Sequence, residues 1–73
     1  MLESKLFMNE KREIDTLLAQ GYTISAVTEN LSGAFVDFCM ENTNQQDQIV
    51  KTLHIVTPNG RKYYTTRMLM NKN

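Results

Sequence analysis

"TPNGRKYYTTRMLM", residues 57–70, is the stretch whose reading decides the fold. Asn-Gly between two β-prone runs is a strong short-range hairpin signal, because a type I′ turn needs φ > 0 at both central positions. The run before it, residues 49–57 (IVKTLHIVT), is rich in β-branched side chains, and the run after it, residues 61–70, carries two tyrosines and two threonines. Both compositions fit a pleated surface. Read as a hairpin, the turn fixes a register. Thr57 faces Lys62, Ile55 faces Tyr64, Leu53 faces Thr66 and Lys51 faces Met68 on the side expected to meet the core. On the other side Val56 faces Tyr63, His54 faces Thr65 and Thr52 faces Arg67.

Working back toward the N-terminus, residues 34–41 (AFVDFCME) alternate, with Ala34, Val36, Phe38 and Met40 on one side and Phe35, Asp37, Cys39 and Glu41 on the other. The first set reads as the core side. Residues 22–29 (YTISAVTE) form the partner strand, with Tyr22, Ile24 and Ala26 as its core candidates. Joining the two faces requires an odd loop, Asn30-Leu31-Ser32, with Gly33 as the left-handed residue of a bulge. Residues 42–48 (NTNQQDQ) read as a polar surface connection.

Residues 10–20 (EKREIDTLLAQ) change the period to that of a helix, since Ile14, Leu17 and Leu18 make one apolar stripe. Asn9 is a candidate N-cap, and Gly21 suits the residue just past the C-terminus. Over residues 2–8, Leu2, Leu6 and Phe7 either extend the helix backward or form a short extended arm packed on the core, and extension is the preferred reading. The expected fold is therefore α+β: one N-terminal helix packed on a four-stranded antiparallel meander, α-β-β-β-β, as one small domain over residues 1–73.

Seventy-three residues with 41% apolar content make a folded but thin-cored chain. A domain of this size buries only about 60% of the surface its unfolded chain exposes. Cys39 is the only cysteine and His54 the only histidine, so an intrachain disulfide and a conventional zinc site are both excluded. There is no Gly-rich phosphate loop and no metal-ligand spacing, so no cofactor and no metal are expected. No apolar run approaches the ~20 residues needed to span a bilayer. The N-terminus lacks the apolar region of a signal peptide, and the lone thiol suits a reducing cytoplasm.

The formal charge of zero conceals an asymmetry. All eight acids lie in residues 1–48, whereas residues 49–73 hold five bases and no acid. On the expected meander the outer sheet face would gather Phe35, Val56 and Tyr63, with Arg61 and Arg67 at the rim. That is the aromatic-plus-arginine pattern of a protein-binding hot spot. The leading expectation is a small, non-enzymatic, cytoplasmic protein-binding module acting through that face, as a homodimer or on another protein. A regulator or inhibitor from a phage or mobile element fits the size. The alternative is a nucleic-acid-binding module using Arg61, Lys62, Tyr63, Arg67, Lys72 and His54, since arginines contact phosphates and aromatics stack on bases. A third reading pairs Cys39 with His54 and Asp37 as a thiol dyad. It lacks a loop to stabilise an oxyanion, because Gly21, Gly33 and Gly60 are already used by a cap and two turns.

Overall fold

The computed structural model describes residues 2–42 and 47–70. In chain order they form α1 (Leu2–Ala19), β1 (Thr23–Asn30), β2 (Gly33–Asn42), β3 (Asp47–Ile55) and α2 (Pro58–Met70). The strands make one antiparallel sheet in the order β1-β2-β3. Ile14 and Leu17 of α1 and Tyr64 of α2 share a buried cluster with Ala34, Val36, Phe38 and Ile55, so both helices lie on the same face of the sheet. The expected four-stranded meander is thus corrected: residues 58–70 are a helix, and the order is α-β-β-β-α.

The correction has a local cause. Thr57 caps α2, its hydroxyl accepting the Gly60 amide at 2.9 Å, and Pro58 occupies the first helical position. A proline is at ease there, because its missing N–H has no intrahelical partner to lose. Gly60 does not provide a left-handed turn; only Gly21 and Gly33 have positive φ among the described glycines. It is glycine because the chain is crowded. A Cβ at this position would press on the Glu10 carboxylate and lie 2.7 Å from Ile55 Cγ2 and 2.9 Å from Thr57 Oγ1.

α1 runs unbroken from residue 2, so residues 2–8 extend the helix rather than form an arm, although Leu6 is exposed, and Asn9 lies inside the helix rather than at its cap. Its end is a Schellman motif. Gly21 at φ 103° lets the Tyr22 amide reach the Leu17 carbonyl at 3.0 Å and its own amide reach that of Leu18 at 3.1 Å. Tyr22 and Leu17 are both buried beside this turn.

The first hairpin forms with a two-residue loop, Leu31-Ser32, because Asn30 pairs directly with Gly33. The extra residue needed to align the two faces sits elsewhere, in a bulge at Ser25 between Ile24 and Ala26. Tyr22 is buried and Ile24 packs on the core, but after the bulge it is Val27 that packs there, and Ala26 is exposed. On β2 the expected set holds: Ala34, Val36 and Phe38 are buried and Met40 packs against them. The polar connection expected at 42–48 falls largely on residues 43–46, outside those described. Its flanks, Asn42 and Asp47, pair with each other.

Candidate functional site: the uncovered face of the sheet

With both helices on one side, no described residue forms a layer over the other side of the sheet. The register places Thr23, Ala26 and Thr28 of β1, Phe35, Asp37 and Cys39 of β2, and Val50, Thr52 and His54 of β3 on that side. Phe35 and His54 are direct partners across the ladder, and their rings stack with centroids 4.4 Å apart and planes 10° from parallel. His54 is held from its other end by a 2.7 Å hydrogen bond between Nε2 and the Ser32 carbonyl. Asp37 accepts the Thr52 hydroxyl at 2.7 Å, while the Ser25 hydroxyl donates to the Asp37 carbonyl at 3.1 Å. Val50 is 55% exposed. Among the described residues this face contains neither lysine nor arginine.

The residues expected to form one binding surface are divided by α2. Phe35 and His54 lie on the uncovered face. Val56 follows β3, exposed, and lines a small cleft of about 240 Å³ with Leu31, Gly33, Pro58 and Arg61 at the first-hairpin end of the molecule. Arg61 is bound to Glu29 at 2.9 Å. Tyr63 and Arg67 lie in the seam between the helices, facing away from the uncovered face. Tyr63 donates its hydroxyl to Asp15, Phe7 meets its ring edge-on at 6.4 Å, and Arg67 reaches Asp15 at 3.2 Å. Lys62 is exposed on α2, and Lys72 lies outside the described residues. The expected grouping of Arg61, Tyr63 and Arg67 beside His54 is therefore corrected, because it depended on a fourth strand.

Two ionisable groups respond to this packing. Burial pushes the Asp15 carboxyl up, but the Tyr63 hydroxyl and the cations of Lys11 and Arg67 outweigh it and hold the group below the usual carboxylate range. Burial pushes the Tyr64 hydroxyl above the ordinary tyrosine value, and the neighbouring Glu29 carboxylate, its hydrogen-bond acceptor at 3.2 Å, adds to the rise. Both groups bind the helices into place, and neither lies on the uncovered face.

The thiol dyad is not assembled. Cys39 pairs with Val50, and it stands four residues along β2 from Phe35, the partner of His54. At ~3.3 Å per residue that separation is about 13 Å, far beyond hydrogen-bond reach. Sequence reasoning missed Glu10, which is only 6% exposed. Its carboxylate accepts the Val56 amide at 2.7 Å, the Thr57 amide at 3.3 Å and the Thr57 hydroxyl at 2.5 Å. The positive end of α2 is therefore already occupied by the chain's own anion. No family model, curated protein or solved structure matches the chain.

Proposed function

We propose that this chain is a small, non-enzymatic protein-binding module that works through the uncovered face of its sheet, with a second copy as its simplest partner. The observation that carries the reading is a sheet face centred on Phe35, Cys39 and Val50, open to solvent, with no lysine or arginine among its described side chains. A sheet face that carries Phe35, Cys39 and Val50 beside Asp37, Thr52 and His54 has the mixed apolar and polar make-up of a non-obligate protein interface. Stacking two such faces about a two-fold axis would also enlarge a core that the chain length keeps small. We assign the module to the reducing cytoplasm on its lone cysteine, and a regulator or inhibitor of phage or mobile-element origin suits its economy.

The same geometry weighs against nucleic acid as the partner. Phosphate binding needs clustered, unopposed bases, but Arg61 is paired with Glu29 and Arg67 with Asp15. The anion site that a helix N-terminus would offer is filled by Glu10. Light scattering at low and high salt, with and without a mixed oligonucleotide pool, tests the reading. A dimer whose mass is unchanged by salt and by oligonucleotide is the expected result. A monomer whose mass rises with oligonucleotide at low salt and falls back at high salt would overturn it, since phosphate contacts weaken steeply with salt.

A further inference from the structure

The two layers of the fold differ in width. α1 and α2 lie side by side, joined through Phe7, Asp15, Tyr63 and Arg67, and a helix with its side chains is about 10 Å across, so together they cover roughly 20 Å. Three strands at a spacing of ~4.8 Å cover about 14 Å. The helical layer is therefore wider than the sheet by about one strand. The excess is not shared equally between the two edges. At β1 the Arg61 and Tyr64 side chains both bind Glu29 and tie α2 down to the strand, and the bulge at Ser25 breaks the ladder. At β3 a groove of about 550 Å³ runs between the helix and the strand, with Leu17 and Leu53 as apolar lining and Arg12, Glu13 and Lys51 among its walls. β3 pairs with β2 through nine residues without a register shift, so its other edge presents an unbroken row of backbone donors and acceptors.

We propose that the β3 edge, roofed by α1, is a second binding surface that takes an extended peptide segment from a partner protein as the fourth strand of the sheet. Strand addition draws its affinity from the main chain and its selectivity from side-chain pockets that alternate with the pleat. Here Lys51 and Leu53 lie two apart on the helix-facing side of β3, flanking the pocket. The segment that fits carries a carboxylate and an aliphatic side chain two residues apart, the first beside Lys51 and the second against Leu53 and Leu17. A second copy of the chain is the poorer occupant. In a two-fold β3–β3 pairing each copy brings its own overhanging α1 into the same strip, and the Lys51 and Arg12 rims converge.

The probe is the capped peptide acetyl-STVTETVTS-amide, which presents the acid two residues from valine in either strand direction, with acetyl-STVTKTVTS-amide as its charge-reversed counterpart. Titrated into the isotope-labelled full chain, the acidic peptide is expected to shift the Leu17 and Leu53 methyl signals and slow amide exchange along residues 51–53. It should bind about threefold more tightly than the lysine peptide, the size of effect one exposed ion pair supports. Lys51→Glu, at an exposed position whose ammonium lies 5.6 Å from the Tyr22 ring centroid, should reverse the order, with a urea unfolding curve to show that the fold is kept. Equal affinity for the two peptides, no binding by either, shifts confined to Phe35, Cys39 and Val50, or β3 signals that move with protein concentration alone would each overturn the proposal.

Discussion

The Glu10 carboxylate accepts the Thr57 hydroxyl at 2.5 Å, joining the middle of α1 to the cap of α2 across 47 residues of sequence. In a capping box the acid that reaches back to the N-cap amide comes from the third residue of the same helix. That third residue is Gly60, which has no side chain, and the acid arrives from α1 instead. The two helices are therefore capped and docked by one group.

Gly60→Ala gives this arrangement a test of sign. Helix propensity alone would favour alanine by about 1 kcal/mol. The added methyl has no room, since it meets Ile55, Thr57 and the Glu10 carboxylate at once. Overpacking of that kind typically costs about 1–3 kcal/mol, so the urea midpoint should fall. A rise would show that the space between α1 and α2 relaxes freely.

Glu10→Ala should be more damaging than an average surface change, because it strands the buried Thr57 amide and hydroxyl and the part-buried Val56 amide. Leaving buried donors unpaired costs about 1–3 kcal/mol. The double variant with Gly60→Ala should lose less than the two single losses combined, since removing the carboxylate clears space for the methyl. Equilibrium unfolding of the four proteins closes the cycle, and strict additivity would deny the contact.

These effects mark where sequence reasoning fell short. Thr57-Pro58 is a helix-start signal and Asn59-Gly60 a hairpin signal, and the two overlap on four residues. Local composition leans toward the strand, with Tyr63, Tyr64, Thr65 and Thr66 in the following run. The decision is tertiary: Glu10 caps the helix, Asp15 receives Tyr63 and Arg67, and Glu29 receives Tyr64. None of those acids is near in sequence. By contrast, α1, the first hairpin and the alternation of β2 were legible because their causes are local, in the apolar stripe, in Gly21 and Gly33, and in the period of two. The same division holds for the candidate site. Phe35 and His54 were placed on the outer face correctly by the parity of their own strands, whereas Val56, Arg61, Tyr63 and Arg67 depended on the C-terminal element. The bulge at Ser25 left no local mark, and it exchanged Ala26 for Val27 on the core side.

Asp15 predicts an acid-sensitive helix seam. Its carboxyl titrates lower in the folded chain than in the unfolded one, so its contribution is present above the ordinary carboxylate value and is lost as pH falls through the folded value. Asp15→Asn should lower stability at pH 7 and flatten the pH dependence below about pH 4. Thermal melts of both proteins between pH 7 and pH 2 measure this, and parallel curves would mean that Asp15 is not the titrating link.

Tyr64 predicts the opposite limb. The folded chain favours its neutral hydroxyl, so the contribution is complete below the unfolded value of about 10 and is lost as pH rises through the folded one. Phenolate absorbance should develop later in the native protein than in the urea-unfolded chain. Tyr64→Phe should remove that late component, and an unchanged titration curve would assign it elsewhere.

Val50→Glu addresses the uncovered face without disturbing the core. Val50 is 55% exposed and lies opposite Cys39, on the side of the sheet away from both helices. In a monomer, an exposed substitution of this kind changes stability by no more than about 0.5 kcal/mol. In a dimer stacked through this face the carboxylate enters twice by symmetry, into a surface whose described residues include no lysine or arginine to receive it. Light scattering should then report a monomer that stays folded by circular dichroism. Leu69→Glu is the control, since Leu69 is 66% exposed near the end of α2, on the opposite layer, and its change should leave the dimer intact. Dissociation by Leu69→Glu with Val50→Glu still dimeric would move the interface from the sheet to the helices.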